Sequence, residues 1–313
     1  MLALVAILPE YAIEAVLAWD AGGSFNLETK EVTDEMGRVA ANMTGSNRLL
    51  IGLGWSLVIL IFWLKRRTVM DLRGALSLEI TMLAIATALT LIIFITGQLY
   101  LVLAVVLVAL YLVYLWASSR QSSEEPELMG PALLIGTLPA WQRRSTVALL
   151  FLYSAAVILV AAEPFVDALV ETGDDLGIDE FILIQWIAPL ASESPEIIVA
   201  VLFSLRANAM AGITTLISAE VNQLTVLIGS MAIIFSISAS NSSGGLELLN
   251  FPLDDRQSAE FLLTSAVSAF AIVLIWRRRI HWYAGVILCC FSSSTFPLPA
   301  QAGGLPSRGS TRR

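Results

Sequence analysis

The chain has 313 residues, 57% of them hydrophobic, with a mean hydropathy of +0.78 and a formal net charge of −8. A soluble domain stays nearer ~45–50% apolar, so lipid is the simplest solvent for the excess. Only 14% of residues are charged and they cluster between apolar runs, so the acidity belongs to the connections. No basic stretch interleaved with aromatics suggests a nucleic-acid partner.

A spanning helix needs ~20 mostly apolar residues. The runs 2–19, 47–64, 75–95, 99–117, 146–162, 181–204, 213–238, 258–276 and 282–299 predict about nine spans. They are expected to be helical, because backbone exposed to lipid must satisfy its own hydrogen bonds. Met1 to Leu8 carries no charge, unlike a cleavable leader, and runs directly into Pro9-Glu10. The stretch 118–145 contains Ser-Ser-Arg-Gln-Ser-Ser-Glu-Glu-Pro and reads as a linker. It divides a first half, 1–117, from a second, 146–299, and 300–313 reads as a flexible tail. Cys289 and Cys290 are adjacent in an apolar run, where a disulfide is disfavoured and burial is expected.

The connections alternate in charge. Segments 65–74, 118–145, 205–212 and 277–281 hold eleven Lys and Arg residues. The opposite set, 20–38, 96–98, 163–180 and 239–257, holds only Lys30, Arg38 and Arg256, while 163–180 carries seven Asp and Glu. The positive-inside rule places the basic set, linker included, in the cytoplasm. Arg308, Arg312 and Arg313 of the tail dissent. The expectation is a multi-pass protein in a prokaryotic-type plasma membrane, partnered by lipid and inorganic cations.

One pattern occurs twice. Leu8-Pro9-Glu10-Tyr11-Ala12-Ile13 is followed by Asn47-Arg48-Leu49-Leu50-Ile51-Gly52-Leu53-Gly54. Ser194-Pro195-Glu196-Ile197-Ile198-Val199 is followed by Asn222-Gln223-Leu224-Thr225-Val226-Leu227-Ile228-Gly229. By the charge argument, spans 2–19 and 181–204 run in opposite directions, so the copies are inverted, a recurrent transporter plan.

Glu10, Glu14, Glu193, Glu196 and Glu220 lie in or beside these spans. An acidic residue at a span centre costs roughly 2.5–3.5 kcal/mol on insertion, and such residues mark ion paths or buried pairs. Pro9 and Pro195 each remove a backbone donor just before a Glu. Carbonyls freed there could join the carboxylates as hard oxygen ligands suited to Na⁺ or Ca²⁺. Ser192 and Glu196, Ser218 and Asn222, and Glu10 and Glu14 are each four apart and share a helix face. Glu193 is three from Glu196, and Glu220 faces away from Ser218 and Asn222. Glu10, Asn47, Ser192, Glu196, Ser218 and Asn222 are therefore the candidate cation ligands. Glu14, Arg48, Glu193 and Glu220 are candidates for a gate or an ion pair. Each has a structural alternative: helix–helix bonds for the Asn residues, close packing for Ser, snorkelling for Arg48. The functional reading of Arg48 is a fixed cation neutralising Glu14 or Glu220. Gly52 and Gly54 read as close-packing positions.

These segments resemble the membrane region of the sodium/calcium exchanger superfamily. The resemblance rests on Leu8-Pro9-Glu10 with Thr44-Gly45-Ser46-Asn47, and on Ala191-Ser192-Glu193-Ser194-Pro195-Glu196 with Ser218-Ala219-Glu220-Val221-Asn222. It implies an all-α 5+5 inverted-repeat fold with ions bound between the halves, the first helix and part of the second having no counterpart before Met1. It also implies that Glu10 and Glu196 are the central carboxylates, Asn47 and Asn222 the amide ligands, and Ser192 a hydroxyl or carbonyl donor. Two departures stand out. Ala6-Ile7-Leu8 replaces the family's Gly-Thr-Ser, and Arg48 has no counterpart in its pattern.

The function expected is secondary antiport of Ca²⁺ or another cation against Na⁺ or H⁺. The rivals are a monovalent Na⁺/H⁺ exchanger and a non-transporting membrane scaffold or sensor. Enzyme chemistry and a resident cofactor are not expected. The only histidine, His281, sits beside Arg277–Arg279, and no nucleophile–base pair or Gly-rich phosphate loop accompanies it.

Overall fold

The computed structural model describes residues 8–72, 76–120, 131–206, 208–243, 248–276 and 278–294. Residues 2–7 and 295–299 of the expected terminal spans, 121–130 of the linker and the tail 300–313 lie outside them. In chain order the helices are α1 (Leu8–Ser24), α2 (Asp34–Leu49), α3 (Ser56–Arg66), α4 (Ser77–Thr96), α5 (Leu101–Ser118), α6 (Pro131–Gly136) and α7 (Ala140–Leu176). They continue as α8 (Glu180–Ser192), α9 (Ser194–Leu205), α10 (Ala209–Asn222), α11 (Ile228–Ser243), α12 (Asp255–Trp276) and α13 (Trp282–Ser294).

Among the described residues, six helical stretches are long and apolar enough to cross a membrane: Asp34–Arg66, Ser77–Thr96, Leu101–Ser118, Ala140–Leu176, Met210–Ser242 and Asp255–Trp276. The bent pair α8–α9 makes a seventh if it is one span. Of the two outermost expected spans, the described residues include α1 and α13. Cys289 and Cys290 are exposed on α13, not buried as expected, since that face of the helix points out of the bundle.

Two boundaries differ from the hydropathy reading. The stretch expected at 47–64 begins at Asp34, where the Thr33 hydroxyl caps the Met36 N–H at 3.4 Å and Asp34 and Glu35 favour the first turn. Asn42, Thr44, Ser46 and Asn47 depress the hydropathy there, yet all are buried in the bundle. The acidic stretch 163–180 is helical as far as Leu176, so α7 runs 37 residues, about 55 Å at the usual rise. Only 6% of its apolar window is buried, as befits a helix facing lipid.

Asp34–Arg66 and Met210–Ser242 are both 33 residues long, and each contains a π-helical segment: Leu50–Trp55 shortly after Asn47, and Gln223–Leu227 immediately after Asn222. Such segments shift side-chain register and recur at functional sites. Glycines let the helices approach. A Cβ on Gly45 would strike the Gln185 backbone of α8, and one on Gly52 would strike Ser292 of α13, the close packing expected there.

Contacts among the connections obey the charge partition. Two-residue strands β1 (Met70–Asp71) and β4 (Arg279–Ile280) pair on the basic face. Strands β2 (Gln98–Leu99) and β3 (Phe251–Pro252) pair on the other. That second face also carries the ion pairs Arg38–Glu180 (2.7 Å) and Arg256–Asp179 (3.0 Å).

Candidate cation site

The site begins at two Pro-Glu pairs. In α1, Pro9 directly precedes the buried Glu10. Between α8 and α9 the chain bends by 50° at Glu193, with Pro195 in the first turn of α9. Pro195 cannot donate to the carbonyl four residues back, and the Ser194 hydroxyl takes that place, donating to the Ala191 oxygen at 3.0 Å. The bend turns the Glu193 and Glu196 side chains inward together.

Glu10, Glu193 and Glu196 converge there, all buried. The Glu10 and Glu193 carboxyls are within hydrogen-bonding reach of each other, Glu196 and Glu14 lie near Glu10, and Gln223 lies beside Glu193. Glu193 further neighbours Glu220. The Asn47 amide of α2 donates to Glu220, and the Ser268 hydroxyl of α12 reaches both Glu220 (3.1 Å) and the Asn47 carbonyl oxygen (3.3 Å). Asn222 belongs to the same interior, accepting from the Tyr11 hydroxyl at 2.7 Å. Glu14 accepts from Asn42 at 2.6 Å.

The serines are less central. The Ser192 hydroxyl is buried and turned back to the Pro189 oxygen at 3.4 Å. Ser218 stands apart, half-buried and accepting from the Tyr114 hydroxyl at 2.8 Å. Glu220 and Asn222 bond different partners, as expected for positions two apart on a helix. Among the described residues, no three His, Cys, Asp or Glu side chains are spaced as around a bound metal; the carboxyls instead bond one another and nearby amides.

Arg48 requires a correction. It does not lie at a span end or pair with Glu14 or Glu220. It is fully buried fourteen residues into α2, bound to Glu260 of α12 at 2.5 Å. The early start of α2 carries it to mid-helix, and α12 supplies the nearest carboxylate. Glu260, Gln223, Ser268, Tyr11 and Asn42 were not singled out from sequence. For Glu260 and Ser268 a signal existed: Gln257, Glu260, Thr264 and Ser268 recur at helical spacing within an apolar span, and all are buried.

The sodium/calcium exchanger protein model matches residues 1–120 and 146–291, most of the chain. The chain belongs to the sodium/calcium exchanger family. This exchanger is 40% identical to a protein whose crystal structure is described as the H⁺/Ca²⁺ exchanger CAX, with a TM-score of 0.88. That match covers 96% of this chain and 74% of the other. Structures of the sodium-calcium exchanger NCX_Mj share the fold at lower identity. One soaked with Na⁺ and Sr²⁺ is 17% identical with a TM-score of 0.57, covering 94% of this exchanger and 84% of that chain. No curated protein sequence matches.

Proposed function

We propose that this exchanger is an antiporter that trades Ca²⁺ for H⁺ at the buried cluster of Glu10, Glu193 and Glu196. Cation antiport follows from membership of the family; the ion pair and the residues are our reading. The observation that carries it is the contact between the Glu10 and Glu193 carboxyls. A carboxyl–carboxyl hydrogen bond holds one proton. A divalent cation entering between the same oxygens neutralises them in the proton's place. One pocket therefore cannot hold both loads at once, and this exclusion couples the two fluxes. Asn47 and Asn222 offer amide oxygens beside the carboxyls once Ser268 and Tyr11 release them. The 40%-identical relative described as an H⁺/Ca²⁺ exchanger supports the choice of counter-ion. Rocking of the two halves about this midplane site would alternate its exposure, with the basic face and linker in the cytoplasm.

Proteoliposomes test the reading. A pH gradient is expected to drive Ca²⁺ uptake, and Glu196→Gln is expected to lower it by about tenfold or more. Ca²⁺ uptake driven by a Na⁺ gradient and indifferent to pH would replace the proton with Na⁺. No cation-coupled Ca²⁺ flux from intact, correctly inserted protein would overturn the reading.

A further inference from the structure

Among the described residues seven carboxyl side chains are buried: Glu10, Glu14, Glu79, Glu193, Glu196, Glu220 and Glu260. Among the described residues Arg48 is the only buried basic side chain. Oxygen atoms hold it. The guanidinium meets Glu260 Oε2 at 2.5 Å, its Nε donates to the Thr44 carbonyl at 3.2 Å, and it lies 6.0 Å from the centre of the Trp186 ring. Gln185 of α8 braces the same carboxylate, donating to Glu260 Oε2 at 3.0 Å. Gln185 Oε1 and Thr264 Oγ1, the latter one turn along α12 from Glu260, are buried without a hydrogen-bond partner. A carboxylate, a backbone carbonyl, an amide oxygen and a hydroxyl form the hard-oxygen donor set of an alkali cation.

We propose that Glu260, Gln185, Thr264 and the Thr44 carbonyl form a second cation site, of monovalent type, which the chain fills with its own Arg48. The tethered guanidinium supplies permanently the charge that a mobile Na⁺ would otherwise bring. A buried carboxylate left alone is costly, and an ion held covalently cannot leave. Resting on the antiporter reading, the consequence is that Arg48 reduces by one the mobile cations loaded per cycle.

The test is cation binding rather than transport, so its failure leaves the antiporter reading standing. Thermal unfolding of purified wild type, R48Q and R48Q/E260Q is followed against sodium chloride, with choline chloride at matched ionic strength. R48Q is expected to be stabilised specifically by Na⁺, half-saturating at a concentration about tenfold or more below that of the other two proteins. Coincident sodium curves for all three would overturn the proposal. So would R48Q that aggregates in sodium and choline alike while R48Q/E260Q folds. Failure of both variants to fold would mark Arg48 as a packing element and overturn it equally.

Discussion

Replacing Glu193 by glutamine is expected to lower Ca²⁺ transport by about 10–100-fold and to flatten its pH dependence. Glu193 sits at the bend between α8 and α9 and is the one residue that reaches Glu10, Glu196, Gln223 and Glu220 together. On the proposed mechanism Ca²⁺ displaces a proton shared by Glu10 and Glu193, so by mass action Ca²⁺ binding is expected to strengthen as pH rises. A glutamine amide at 193 bonds the Glu10 carboxylate without a proton. Ca²⁺ then loses a ligand, and binding no longer releases that proton. Glu196, Glu14 and Glu220 still face the pocket from α9, α1 and α10, so some pH dependence remains. Initial rates of Ca²⁺ uptake across a pH series measure both effects. An E193Q slope equal to that of wild type would remove Glu193 from the exchange step.

The second large effect is on stability. Glu260→Gln is expected to destabilise the protein by about 3–5 kcal/mol, because it strands a buried guanidinium without its counter-charge. Arg48 is wholly inside the bundle, and Glu260 bridges it to Gln185, so one substitution disturbs α2, α8 and α12 at once. Removing both charges in R48Q/E260Q is expected to restore most of the loss, since a neutral pair no longer has to leave water as ions. Thermal or denaturant unfolding of the two variants checks this. Equal stability of E260Q and wild type would show that the pair is solvated.

The membrane character, the grouping of the connections into a basic and an acidic set, and the Pro-Glu to Asn repeat were all legible in the sequence, because each is written in local composition. The α8–α9 break was legible too, since Pro195 removes a backbone donor whatever its surroundings. The start of α2 was misplaced because Asn42, Thr44 and Ser46 look like loop residues to a hydropathy scale. They are buried in the bundle's polar interior, not set in water. The length of α7 was hidden by acidic residues that continue the helix beyond its apolar window. The paired π-helical segments, which follow the two Asn positions, have no local code in the sequence.

At the site, Glu10 and Glu196 were found by pattern and do converge. The central place of Glu193 was not foreseen, because on a straight helix it is merely three residues from Glu196, and the 50° bend falls on it. Arg48 was recognised as unusual, but its partner lies on a distant span and no spacing rule connects them. Ser218 was chosen for sharing a face with Asn222, and it does. The Ser218 hydroxyl nonetheless bonds Tyr114, whereas Asn222, one turn on, bonds Tyr11 beside Glu10.

The most direct measurement counts the protons released when Ca²⁺ is added to purified protein in weakly buffered detergent solution. Opposed carboxyls that exchange a proton for a metal ion must acidify the medium as Ca²⁺ binds, and E10Q must release fewer protons per Ca²⁺. Saturable Ca²⁺ binding with no change in pH would contradict this.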